Sequence, residues 1–158
     1  MNEMTSTTAS GNVLRHKVLA TMAGAITGAT VLGGAVAHAE PPALPSAEQL
    51  TNQVSVIFDV NADRAQRASF LEAGDAALPV VDIVGGPIAQ HRSMVSMRVE
   101  NPTLDGDHLS SQLVMSVMGM GAQRRPLDWV EQDRTWKLST ASLCSVYTEI
   151  SRTSSCPV

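Results

Sequence analysis

The chain has 158 residues, of which 44% are hydrophobic and 16% are charged, and its formal net charge at pH 7 is −4. Binding to nucleic-acid phosphates or to anionic membranes requires a basic face, so a mildly acidic chain disfavours both as a main function. The only adjacent pair of Arg or Lys residues is Arg124-Arg125. We therefore predict no nucleic-acid partner.

The first 39 residues have the composition of a targeting segment. A basic edge at residues 15–17 precedes an apolar stretch from Val18 to Val36, and the small-x-small sequence Ala37-His38-Ala39 follows. This order is typical of a secretory signal peptide, so we predict cleavage after Ala39 and a secreted or cell-envelope location, with no membrane span left after cleavage. An uncleaved anchor is the alternative, since about 19 weakly apolar residues just suffice to cross a bilayer.

The remaining 119 residues are enough for one domain and too few for two. Three prolines between residues 40 and 45 predict an extended leader, because each proline fixes its own φ and restrains the residue before it. Residues 46–158 are predicted to form a single domain.

Helices are predicted in the first part of this domain. Ser46 and Gln49 have the spacing of a capping box, and apolar residues follow at helical intervals. Asn61 is predicted to cap a second helix that ends at Gly74. The next segment is predicted to be a short helix broken at Gly85-Gly86-Pro87.

After His91 the period of apolar residues changes from 3.6 to 2, which indicates strands. Four antiparallel strands in a meander are predicted: one that ends at Asn101-Pro102, a long one from Leu109 that fades out at Gly119 and Gly121, one that begins at Leu127, and one that contains Trp136 and Leu138. Trp129 and Trp136 lie on either side of a tight turn and are predicted to form a cross-strand pair.

A final helix is predicted to start at a cap provided by Ser139 or Thr140. Its apolar stripe faces the sheet and consists of Leu143, Val146, Tyr147 and Ile150. The predicted fold class is therefore α+β, with N-terminal helices packed on a four-stranded antiparallel sheet and a closing C-terminal helix.

Two short motifs carry a family resemblance. The sequence "LPSAEQL" ends the leader, and "WKLS" runs directly into "TASL" near the C-terminus. Both resemble the low-molecular-weight secreted antigen family of mycobacteria, over about residues 41–151. The resemblance implies a fold of the nuclear-transport-factor or cystatin type, in which a curved antiparallel sheet partly wraps around helices and often leaves a pocket. It also implies an exported, antigen-like domain, and it supplies no set of catalytic residues.

The two cysteines, Cys144 and Cys156, are not part of that family pattern. An exported chain with two cysteines is expected to pair them in an oxidising compartment. The helix rises roughly 12 Å from Cys144 to Arg152, and the four residues to Cys156 can reach back about 14 Å. We predict an intramolecular disulfide, with two free thiols or an intermolecular bond as alternatives. A nucleophilic Cys144 is disfavoured, because no activating base is evident.

All five methionines after residue 39 are predicted to fall on the first two strands: Met94, Met97, Met115, Met118 and Met120. Strand alternation assigns Met97 and Met115 to the core and the other three to the opposite face. Those three, together with Tyr147 on the last helix, are candidates for a pocket or an exposed surface. Thioethers in an exported protein also bind Cu(I), which is a minor alternative function.

Two functions are compatible with these residues. In the first, a non-catalytic exported domain binds a protein partner or a small apolar ligand between sheet and helices, and no cofactor or metal is expected. In the second, the same cavity is an enzyme site in which an acid such as Asp59 or Asp82 converges with His91. The first is favoured, because most carboxylates occupy cap, turn or surface positions. A carboxylate buried within hydrogen-bond reach of the imidazole would favour the second.

Overall fold

Helix α1 (Ala47–Phe58) is the first regular element of the computed structural model, which describes residues 43–158. It begins at the predicted capping box, where Ser46 Oγ accepts from Gln49 N at 3.1 Å and the Gln49 side chain accepts from Ser46 N at 2.7 Å. Its buried face consists of Leu50, Val54, Ile57 and Phe58. The predicted signal peptide and the first residues of the leader lie outside the described residues.

Helix α2 (Arg64–Ser69) is shorter than predicted and has a different cap. The Asp63 side chain accepts from Gln66 N at 2.8 Å, so the prediction that Asn61 caps this helix is wrong. Asn61 instead donates its backbone N–H to Asp59 Oδ1 at 3.0 Å, which organises the turn between the two helices. A 3₁₀ turn (Gly74–Ala77) separates α2 from the next helix.

Helix α3 (Leu78–Gln90) is continuous, so the predicted break at residues 85–87 is wrong. Gly85 is needed for packing and not for flexibility, because a Cβ at this position would lie 2.5 Å from the backbone oxygen of Phe58. Pro87 lies in the last turn of the helix, where its missing N–H removes only one late helical hydrogen bond.

After the three helices, four strands form an antiparallel sheet in the order β1-β2-β3-β4, which confirms the α+β prediction. Their bounds are β1 (Val95–Asp105), β2 (His108–Val117), β3 (Gly121–Gln132) and β4 (Thr135–Leu138). β1 does not end at Asn101-Pro102, because a register shift between Glu100 and Thr103 carries it onward. β3 begins at Gly121, earlier than Leu127, because the polar residues before Leu127 pair with β2 through their backbones.

One face of the sheet is covered by helices and carries most of the buried apolar residues of the strands. The buried residues on this face include Leu109, Leu113, Leu127, Trp129 and Leu138. Trp129 lies opposite Leu138 in the register, whereas Trp136 lies opposite Glu131, so the two tryptophans share a face as diagonal neighbours. Trp129 Nε1 donates to Ser111 Oγ at 2.8 Å, which satisfies its buried N–H.

Helix α4 (Thr140–Ser151) closes the sheet and packs on α3 and β3. Ser139 provides its cap by accepting from Ser142 N at 3.1 Å, and Ser142 Oγ accepts in turn from Asp128 N of β3 at 2.7 Å. Cys144 and Cys156 form the predicted disulfide, with their Cα atoms 5.5 Å apart. The C-terminal tail is thereby held against α4.

Candidate functional site

An apolar cleft of about 370 Å³ opens at the end of the sheet where β1 begins and β2 ends. The ends of α3 and α4 form its other walls. The residues that line it are Val84, Pro87, Ile88, His91, Met94, Val95, Met115, Val117, Met120 and Ile150. It is one of several clefts between sheet and helices, which is where the sequence predicts an apolar ligand.

Backbone hydrogen bonds hold three of the segments that form the cleft. After α3 ends, His91 O accepts from Met94 N at 2.8 Å and from Val95 N at 3.1 Å. Met94 O then accepts from Met118 N at 2.9 Å, which joins the start of β1 to the turn after β2. These hydrogen bonds therefore fix the main chain around the opening of the cleft, which we call its rim, while the side chains of the rim stay free to adjust.

The cleft has an apolar floor and an exposed rim that contains methionine. Val84 is fully buried, whereas Met94, Ile150 and Met120 are 43%, 39% and 77% exposed. Methionine is unbranched and polarisable, so a rim that contains it adapts to ligands of different shape. An apolar molecule can therefore bury its surface against the side chains of the rim, whereas Val84 has no exposed surface of its own.

His91 is the only polar side chain among the lining residues. This side chain is exposed. The residue caps the C-terminal end of α3, where its backbone N–H donates to Pro87 O and Ile88 O, each at 3.2 Å. One imidazole at the mouth of an apolar cleft can orient the polar end of a ligand by a single hydrogen bond.

The structure divides the methionines and tyrosine that the sequence singled out. Met94 and Met120 line the apolar cleft, whereas Met118 lines only an adjoining cleft of about 480 Å³, which Met94 also lines. Tyr147 is buried in the core. Met115, which strand alternation assigned to the core, also lines the apolar cleft. Alternation does not predict the direction of Met94 and Met120, because both lie outside the strands.

The three residues of the enzyme hypothesis lie in different surroundings. Asp59 lines a neighbouring cleft of about 270 Å³ that also contains Arg92 and Met97, and His91 does not line it. Asp82 accepts from Arg67 Nη2 at 2.6 Å, and the buried Arg67 also donates to Ile57 O at 3.0 Å. No pairing of a carboxylate with the imidazole is therefore seen in the cleft that His91 lines.

Asp59 is held in its ionised form by its neighbours. The backbone N–H of Asn61 lowers the pKa of Asp59 most, partial burial opposes this effect, and the guanidinium of Arg92 lowers the pKa further. Arg92 Nη2 donates to Asp59 Oδ1 at 2.9 Å. A carboxylate with a lowered pKa is suited to an ion pair and not to proton donation near neutral pH.

Within residues 43–158, no helix combines the length and the apolar character needed to cross a bilayer. The same part of the chain contains no group of three or more His, Cys, Asp or Glu residues placed to hold a metal ion.

Sequence reasoning missed the α3 side of the cleft. Val84, Pro87 and Ile88 line it, but the predicted helix break placed these residues in separate elements. The spacing of Val84 and Ile88, four residues apart, was the available signal, since it puts both on one face of an unbroken helix.

A family model described as the low molecular weight antigen MTB12, C-terminal domain, matches residues 43–154. The matched range includes every residue that lines the apolar cleft. No curated protein matches the chain.

Proposed function

The chain belongs to the family of the low molecular weight antigen MTB12, C-terminal domain, in agreement with the resemblance in its sequence, and from this premise we propose that it binds a small apolar ligand. The observation that carries the proposal is the cleft of about 370 Å³, whose lining is apolar apart from His91. Ligand sites are typically concave, about 300–1,000 Å³ in volume, and lined mainly by hydrophobic side chains with few polar groups.

The chemistry of the cleft sets the class of ligand. A charged or strongly polar molecule would lose its hydration without finding partners on the floor, which costs several kcal/mol. An apolar tail gains about 0.8 kcal/mol for each methylene that it buries, or roughly fourfold in affinity. The best ligand is therefore an alkyl or aryl group with one polar end close to His91, and affinity should rise with chain length until the cleft is full.

N-Phenyl-1-naphthylamine, an uncharged fluorescent probe, tests this proposal. We expect its fluorescence to increase saturably on binding and 1-alkanols to displace it more effectively as their chains lengthen. Ile150→Glu places a carboxylate at the mouth of the cleft and should weaken binding at least about tenfold, because burial of that charge costs more than 1.4 kcal/mol.

Ile83→Glu is the matched control. Ile83 is 48% exposed on α3 and does not line the cleft, so the same change of side chain should leave the affinity for the probe unaltered. Both variants change exposed positions, so their free energies of unfolding should lie within about 0.5 kcal/mol of that of the native protein. Equal affinities in the two variants would overturn the proposal.

We also propose that the domain acts outside the cytoplasm. The family match and the Cys144–Cys156 disulfide are consistent with an extracytoplasmic protein. Removal of residues 1–39 would leave the leader and the domain of residues 46–158 as the exported product. Mass spectrometry of that product should find Glu40 at its N-terminus, whereas an intact N-terminus in the membrane fraction would contradict cleavage.

A further inference from the structure

The apolar cleft brings together three thioethers and one imidazole. Met94, Met115, Met120 and His91 all line it, although they come from the turn before β1, from β2, from the turn after β2 and from the end of α3. No carboxylate lines the same cleft. This combination of donors is chemically unlike that of a hard-cation site, which uses oxygen ligands.

Soft ligands select soft metals. Thioether sulfur favours Cu(I), imidazole also binds copper, and Ca²⁺ or Mg²⁺ gains nothing from either donor. A monovalent ion also carries a smaller desolvation cost into an apolar cleft than a divalent ion does. We propose that the chain has a Cu(I) site formed by the sulfur atoms of Met94, Met115 and Met120 and the imidazole of His91.

Main-chain contacts place these donors around one opening. His91 O accepts from Met94 N at 2.8 Å, so the imidazole and the first thioether belong to one turn. Met120 N donates to Val117 O at 3.0 Å, within a turn that places Gly119 and Gly121 at φ values of 82° and 81°. Such positive φ values are readily adopted by glycine, so these residues allow the chain to double back and present Met120 to the cleft.

The side chains supply the remaining adjustment. A methionine side chain has three rotatable bonds, and Met94 and Met120 are largely exposed, so their sulfur atoms can converge on an ion without disturbing the core. Met97 and Met118 do not line this cleft, although Met97 lies opposite Met115 in the register and Met118 lines an adjoining cleft together with Met94. One ion per chain is therefore expected.

This inference does not rest on the binding of an apolar ligand, and different substitutions test the two functions. Leucine keeps the volume and the apolar character of methionine but removes the sulfur. A Met120→Leu variant should therefore lose affinity for the metal through the loss of a donor and not through a change in the shape of the cleft. Ile150→Glu removes no thioether or imidazole and adds a negative charge, so it should weaken the binding of N-phenyl-1-naphthylamine without weakening that of the metal.

The experiment is a titration of the native protein with Cu(I) in competition with the chelator bicinchoninate. Ascorbate keeps the copper reduced, and a thiol assay checks that the Cys144–Cys156 bond stays intact, because free thiolates would bind copper themselves. Ag⁺, a redox-inert ion of the same charge and softness, serves as a second probe without reductant.

We expect one Cu(I) per native chain, and a weakening of at least about tenfold for each of Met94→Leu, Met120→Leu and His91→Gln, since each removes one donor. Met118→Leu is the matched control and should bind as the native protein does. The proposal is overturned if the native protein binds neither ion saturably, or if Met118→Leu loses as much affinity as Met120→Leu.

Discussion

Replacement of Gly85 by alanine tests the packing that forms the α3 wall of the cleft. The added Cβ would lie 2.5 Å from the backbone oxygen of Phe58 and 3.1 Å from Cγ1 of Val60. The first contact is with a backbone atom at the buried end of α1, which cannot rotate away. Helix α3 must therefore move away from α1 to admit one methyl group.

Two opposing effects set the magnitude. Alanine in place of glycine within a helix normally stabilises it by about 0.5–1 kcal/mol, whereas a methylene forced into a packed contact costs about 1–3 kcal/mol. The cost of the clash should exceed the gain in helix stability, because the added Cβ is fixed to the backbone of α3 and meets a backbone oxygen of α1. We expect the free energy of unfolding to fall by about 1–2 kcal/mol, or the melting temperature by roughly 4–8 °C.

Gly86→Ala is the control at the adjacent position. A Cβ there meets nothing within 4 Å, but the ring of Pro87 disfavours a helical conformation for the residue before it, which offsets the usual gain. We expect the free energy of unfolding of this variant to lie within about 1 kcal/mol of that of the native protein. Urea denaturation followed by circular dichroism measures both variants, and calorimetry gives their melting temperatures.

The reasoning about α3 is refuted if Gly85→Ala is as stable as the native protein or more stable. A second readout follows from the geometry, since Val84 and Ile88 flank Gly85 and line the cleft. A shift of α3 should also reduce the affinity for N-phenyl-1-naphthylamine in Gly85→Ala and not in Gly86→Ala.

Three further predictions concern the disulfide, a helix cap and an acidic residue. Replacing both Cys144 and Cys156 by serine should lower the free energy of unfolding by about 3 kcal/mol. The native protein, denatured without reduction, should show no reactive thiol, and two thiols per chain would contradict the bond. Ser46→Ala should cost about 1 kcal/mol in urea denaturation through loss of the capping box, and an unchanged midpoint would argue against it. Because the pKa of Asp59 is lowered by folding, its stabilising effect is present above the unfolded pKa of about 3.8 and is lost as the pH falls through the folded value. Asp59→Asn should therefore lose less stability than the native protein on acidification below about pH 4, and parallel pH profiles would contradict this.

Local signals predicted the parts of the fold that local interactions form. The capping box at Ser46 and the cap at Ser139 each depend on residues three positions apart, so a short stretch of sequence is enough to predict where α1 and α4 start. The break predicted in α3 failed because the role of Gly85 is set by Phe58, which belongs to another helix. The start of β3 was missed for a related reason, since its first residues are polar and pair through the backbone.

The candidate site was only partly predictable. The sequence pointed to Met94 and Met120 as pocket or surface residues, and both line the cleft. It could not show that the ends of α3 and α4 meet there, because that contact depends on tertiary packing. Ile150 and Ile88 look like ordinary core positions in the sequence, and only their placement at the end of the sheet makes them walls of a cleft.

The most direct test of the cleft is a titration of the protein, labelled at the methionine ε-methyl groups, with 1-decanol and observation by NMR. The account predicts that the resonances of Met94, Met115 and Met120 shift together in one saturable process, and by more than those of Met97 and Met118, which do not line the cleft. Equal, non-saturating shifts of all five resonances, or a shift confined to Met118, would contradict it.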